Sequence, residues 1–221
     1  MDKFTTILVI VLAILVLYVV YTKMYEGFSD GSTNTAKYNI QFITMWGADE
    51  SINHPNNPHT GNMFLITHNN RFRLFEVGKL ASKGVSNTSM YGTLDDLFDI
   101  TENNGDIGNT VTSGVLMAPG EANLTINADA NKHTLSFVTM VAPSSDWFTG
   151  FSLNLMENGK WITKKMIPLY VYISGTDSNQ GFVTEHKLRE HPQPIKLKND
   201  KFLYPDGKLK PIAYAIITKA N

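Results

Sequence analysis

The chain has no cysteine in 221 residues. That excludes disulfide frameworks, thiolate-ligated zinc, iron–sulfur clusters and thiol nucleophiles. A basic surplus is missing too. Lys and Arg number 19 against 20 Asp and Glu, a formal net charge of −1, whereas a nucleic-acid binder carries a basic excess; no nucleic-acid partner is expected. Catalytic signatures are equally scarce: the sequence holds no G-x-S-x-G elbow, no P-loop, no G-x-G-x-x-G and no H-E-x-x-H. His54 and His59 share an Asn/Pro-rich loop at a spacing that suits no metal site, and the other four histidines are scattered. Each reads as a structural residue, and the expectation is a protein that is not an enzyme.

What is present begins with an apolar run. Residues 4–21 carry no charge, and at roughly 1.5 Å per residue they just span a hydrocarbon core of about 30 Å. Lys3 and Lys23 bracket the run, and Tyr18 and Tyr21 suit a membrane interface. A cleaved signal peptide would place small residues ahead of the cut, which YVVYTKMYEG does not. A buried core helix is disfavoured by the polar linker that follows. The reading adopted is a single uncleaved transmembrane helix in residues 1–23, a flexible linker in residues 24–36 and a folded domain in residues 37–221. Flanking charges nearly balance, so orientation is close to a tie.

Beyond Lys37 the pattern is short runs of period two between turn residues. Such runs start at Tyr38, Asn62, Asn123, Thr134, Phe151, Leu169 and Ile212. They predict an all-β fold, an antiparallel sandwich or barrel. Thr93-Leu94-Asp95-Asp96-Leu97-Phe98 predicts one or two helical turns with Thr93 as N-cap. Residues 73–84 suit a strand or a short helix equally. Charge is uneven. Seven acids and no Lys or Arg lie between Tyr91 and Ala130, and eight bases against three acids lie between Lys187 and Lys219. Solvated loops account for both blocks, and a basic tail could also meet anionic lipid or glycan.

Two loops stand out. APSSDWFTG, containing Ser144, Ser145, Asp146 and Trp147, joins two apolar strands, and Ser174-Gly175-Thr176-Asp177-Ser178 follows another. Asp-bearing loops at strand ends suit either Asx-turns that stabilise the loops themselves or a Ca²⁺ site built from hard oxygens. Trp147 is expected in the core.

These blocks resemble the spondin N-terminal domain family. HTLSFVTM from His133, followed by APSSDWFTG, is similar to a family segment ending P-S-P-D-W-F-V-G. His68 with Gly78 to Gly84 resembles H…G-x-x-A-S-x-G, and Ile167-Pro168 with Gly175-Thr176-Asp177-Ser178 resembles L-I-P-W-D-A-G-T-D-S-G. The similarity runs collinearly from about Lys37 onward. The resemblance implies an antiparallel β-sandwich of C2-like kind with about eight strands, and a binding or adhesion module. It also implies calcium at one end, with Asp146 and Asp177 as ligand positions. A third family aspartate falls on Ile173, which has only a backbone carbonyl to give, so calcium is expected to bind weakly. Family members are usually secreted; with the apolar run of residues 4–21 added, the expectation is a single-pass membrane protein with its domain on the extracytoplasmic side and a protein or glycan surface ligand. The alternative is a structural protein of a virus particle, in the virion membrane, that uses the sandwich to pack against neighbouring subunits.

Overall fold

The structure is a computed structural model and describes Tyr18 and residues 34–220. The expected anchor, apart from Tyr18, and nearly all of the linker lie outside the described residues. Among the described residues no helix is long and apolar enough to cross a membrane.

Thirteen strands and two helices occur among the described residues. In chain order they are β1 (Thr35–Thr44), β2 (His59–Thr60), β3 (Met63–His68), α1 (Lys83–Tyr91), α2 (Asp95–Thr101), β4 (Ile107–Ser113), β5 (Gly120–Asp129), β6 (Thr134–Ala142), β7 (Trp147–Asn154), β8 (Met156–Glu157), β9 (Lys160–Trp161), β10 (Lys164–Leu169), β11 (Val171–Ile173), β12 (Lys196–Leu197) and β13 (Ala213–Lys219). Eight of the strands have six residues or more. A small antiparallel sheet runs β10-β13-β1-β5, and a large one runs β12-β11-β7-β6-β3-β4 with β2 added beside β6.

The two sheets share a core because their strands alternate. Tyr38, Ile40 and Phe42 of β1 meet Met63 and Leu65 of β3, Phe137 of β6 and Trp147 and Phe151 of β7 in one buried cluster. The intervening residues of the large sheet, Phe64, Ile66, Val138 and Phe148, point the other way. There they join a second cluster with Leu74, Val85, Leu97 and Ile195. The central strands β3 and β6 are therefore dry on both faces, like the middle layer of three. The small sheet's outer face is wet, as its alternating burial shows.

Several expectations change. The run at Leu169 is two strands rather than one. Leu169 pairs with Ala213 in the small sheet, while Val171 pairs with Thr149 in the large sheet. Both side chains enter the shared core, so the period is unbroken while the hydrogen-bonding partner changes. Strand β1 starts at Thr35, inside the stretch read as linker, and pairs from there with Asp129. Helix α1 had no sequence signature. KGVSNTSMY is rich in poor helix formers, yet it is held by burial of Val85, Thr88, Ser89 and Met90 and by Ser82, whose side chain caps the Val85 N–H. Residues 73–82 are irregular. Helix α2 exists, but Leu94 rather than Thr93 occupies its N-cap, without a side-chain cap bond. Asp95 and Asp96 in its first turn favour the helix dipole.

Candidate functional site

Strand pairing brings the two singled-out loops together. β7 and β11 are antiparallel, with Trp147, the first residue of β7, opposite Ile173, the last of β11. Asp146 and Ser174 therefore leave the sheet at the same edge, and the Ser174 N–H donates to the Asp146 carbonyl at 3.0 Å.

Asp146 is fully buried. Its Oδ2 accepts from the Thr176 N–H at 2.9 Å, the Asp177 N–H at 3.1 Å and the Ser174 hydroxyl at 3.3 Å. Its Oδ1 accepts from the Ser145 hydroxyl, at 3.3 Å. Burial pushes the Asp146 carboxyl above its ordinary value, against the lowering effect of the Asp177, Thr176 and Gly175 amides and the Ser174 hydroxyl. Asp177 is also fully buried. Its Oδ1 accepts from the Asn179 N–H at 2.7 Å, and its Oδ2 from the Lys187 N–H at 2.9 Å and His186 Nδ1 at 3.2 Å. A backbone ladder continues this clamp, with the Ser178 N–H on the Lys187 carbonyl and the Arg189 N–H on the Thr176 carbonyl, both at 2.9 Å. Gly175 is essential to the path. Its φ is +82°, and a Cβ there would lie 2.0 Å from the Gln193 carbonyl oxygen.

Asp146 and Asp177 thus meet, one carboxylate on the other's amide. Ile173 lies beside them in β11, but its side chain belongs to the sandwich core, so only its backbone is available to the site. Among the described residues, no three His, Asp or Glu side chains gather to hold a metal ion. Sequence reasoning missed His186 and Ser89. His186 lies nine residues past Asp177 and carried no motif; Ser89 reaches Ser174 Oγ at 2.9 Å from the unforeseen helix α1.

Beneath the loops, Trp147 is fully buried. It stands edge-on to Phe182 at 5.6 Å and to Phe202 at 6.1 Å. Lys198 Nζ lies 4.3 Å from the centre of its ring and 2.5 Å from Asp200 Oδ2. Lys198 is itself buried, so the basic stretch read as a solvated face includes a lysine that solvent does not reach. The cation–π contact and the carboxylate offset its desolvation.

An antiparallel two-sheet sandwich whose end loops carry polar clusters is the architecture of a β-sandwich recognition module. The sequence specifies the family: a model described as Spondin_N matches residues 36–205, and the chain belongs to the spondin N-terminal domain family. It is similar to Spondin-1 of Gallus gallus, with 26% identity over 88% of this chain and 27% of that protein. It is also similar to Spondin-1 of Homo sapiens, with 28% identity over 72% and 23% respectively. Spondin-2 of Rattus norvegicus is 37% identical over 37% of this chain and 28% of its own length. The chain spans about a quarter of the length of these curated relatives.

Proposed function

We propose that this chain is a non-enzymatic binding and adhesion module of spondin type, held at a membrane by residues 1–23 and displaying its sandwich on the extracytoplasmic side. The observation that carries this reading is the family match across residues 36–205, which covers both end loops and every strand except β13. A second observation supports the non-enzymatic part. Among the described residues, a histidine and a serine meet where His68 Nε2 lies 2.7 Å from Ser136 Oγ. Both residues are fully buried, and burial lowers the His68 pKa. A neutral histidine bonded to serine inside a core anchors two strands and offers no substrate access.

Calcium plays an ancillary part in this reading. Asp146 and Asp177 are the side chains that would hold it, with the Ile173 carbonyl beside them. Bound calcium would supply positive charge and cross-link the loops. Asp177 already satisfies both its oxygens with N–H donors and Asp146 saturates Oδ2, so calcium competes with an existing clamp. Binding is therefore expected to be weak, in the extracellular-module range of about 10⁻⁴–10⁻³ M.

Topology tests the main reading. Membrane-impermeant amine labelling of intact cells or particles is expected to modify exposed lysines of the domain, such as Lys164 and Lys196. Labelling only after membrane disruption would overturn extracytoplasmic display.

A further inference from the structure

A cleft of about 580 Å³ lies between the α1–α2 turn and the ends of β3 and β4, on the helical side of the large sheet. Tyr91, Phe98, Asp95, Asn62, Thr112 and Ser113 line it. Two large aromatic side chains, Tyr91 at 50% and Phe98 at 43% exposure, border this one cleft. Each is braced edge-on from behind, Tyr91 by the His186 ring at 4.7 Å and Phe98 by the Phe64 ring at 5.4 Å. They are held in place without being covered.

The charge of the cleft is one-sided. No Lys or Arg occurs from Tyr91 to Ala130. Asp96 next door is neutralised by Lys83 at 2.6 Å and by the Asn87 amide. Asp95 lines the cleft, and its carboxylate has no hydrogen bond or ion pair among the described residues. Aromatic faces with a free carboxylate and hydroxyl acceptors select a flat cation that carries N–H donors. A quaternary ammonium would leave the acceptors unused. A neutral sugar would leave the Asp95 charge uncompensated.

We propose that this cleft docks an arginine side chain on a basic segment of a partner protein, its guanidinium against Tyr91 and Phe98 and its N–H groups on Asp95. Exposed Tyr and Phe with depleted Lys are also the composition of interface anchor points. The inference rests on the binding-module reading and names the chemistry of one partner.

The test is equilibrium binding of the full chain, in detergent micelles at low salt, to a capped Gly-Arg-Gly tripeptide. Its citrulline counterpart, of the same shape without the charge, and phosphocholine are the comparison ligands. The arginine peptide is expected to bind several-fold more tightly than either. Asp95→Asn, Tyr91→Ala and Phe98→Leu are each expected to weaken it by about 2–5-fold, with unchanged thermal melts, while Asp129→Asn leaves it unaltered. No measurable arginine binding, equal binding of the citrulline peptide, tighter binding of phosphocholine, or an equal loss in Asp129→Asn would each overturn the proposal. Binding to the purified chain is blind to membrane topology. Failure here therefore removes the cleft and leaves the display reading to the labelling experiment.

Discussion

The large and small sheets are built from the same kinds of residue and differ in how many faces they bury. β3 reads MFLITH, and all six residues are buried. β1 reads TAKYNIQFIT and alternates exposed or half-buried with buried. The first pattern is what helices and loops on the far side impose on a strand; the second belongs to a strand with water on one side. The lesson concerns the helices. α1 and α2 have weak local preferences, yet Val85 and Leu97 pack with Phe64, Ile66, Val138 and Phe148 of the large sheet, so their burial holds them in place where their propensity would not.

Trp147→Ala, in the sandwich core, is expected to be the most damaging change, at about 3–5 kcal/mol by chemical denaturation. Its indole N–H has no hydrogen-bond partner among the described residues, so Trp147→Phe is expected to cost much less. Leu97→Ala, which removes a fully buried side chain from α2 on the opposite face, is expected to cost about 2–4 kcal/mol. A loss below about 1 kcal/mol would break the comparison by showing that the helical layer is a cover and no core. Gly175→Ala forces a left-handed residue against the Gln193 carbonyl and is expected to cost more than about 1 kcal/mol; it sharpens the comparison by showing that the large sheet's end loop belongs to the cooperative unit.

Asp146→Asn gives a smaller, pH-dependent effect. A carboxyl whose pKa is raised by folding contributes stability below its ordinary, unfolded value, and loses it as pH rises through the higher folded value. The variant lacks this loss. Its stability relative to the parent is expected to rise as pH increases through and above the ordinary carboxylate range, read from denaturant midpoints at a series of pH values. A relative stability that falls over the same range would mean that the ionised carboxylate is the favoured form in the clamp. Met166→Ala, on the wet face of the small sheet and 60% exposed, is expected to lie within about 0.5 kcal/mol of the parent. A larger loss would mean that this face is covered.

The fold was legible wherever alternation was strong. β1, β3, β6 and β13 could be placed from period two, and the sandwich followed. β4 was missed because IGNTVTS has few large apolar residues, and only one of its seven is fully buried. The split at Tyr170 was invisible because side-chain periodicity reports which core a residue enters and says nothing of which sheet its backbone joins. At the site, Asp146 and Asp177 were found through loop chemistry and resemblance. His186 and Lys187 were not, since their contacts to Asp177 depend on a returning loop whose path the local sequence does not encode. Lys198 went unnoticed because a lysine is expected to be solvated.

The central place of β1 in the small sheet has a mechanical consequence. β1 is bonded along its length to β5 on one side and β13 on the other, and Tyr38 lies opposite Lys219. It runs from Thr35 to Thr44, and two residues further on the ring of Trp46 meets Phe182, which in turn meets Trp147 beside Asp146. A tether pulling at Thr35 against a load on the Asp146 loops would draw β1 lengthwise between its neighbours. Its cross-strand hydrogen bonds lie perpendicular to that pull and share the load at once. Pulling between residues 35 and 219 would instead peel the β1–β13 ladder one pair at a time from a single end. A force-probe experiment is expected to find the first geometry the stronger, so that the domain resists tension best along the line joining Thr35 to the Asp146 loops.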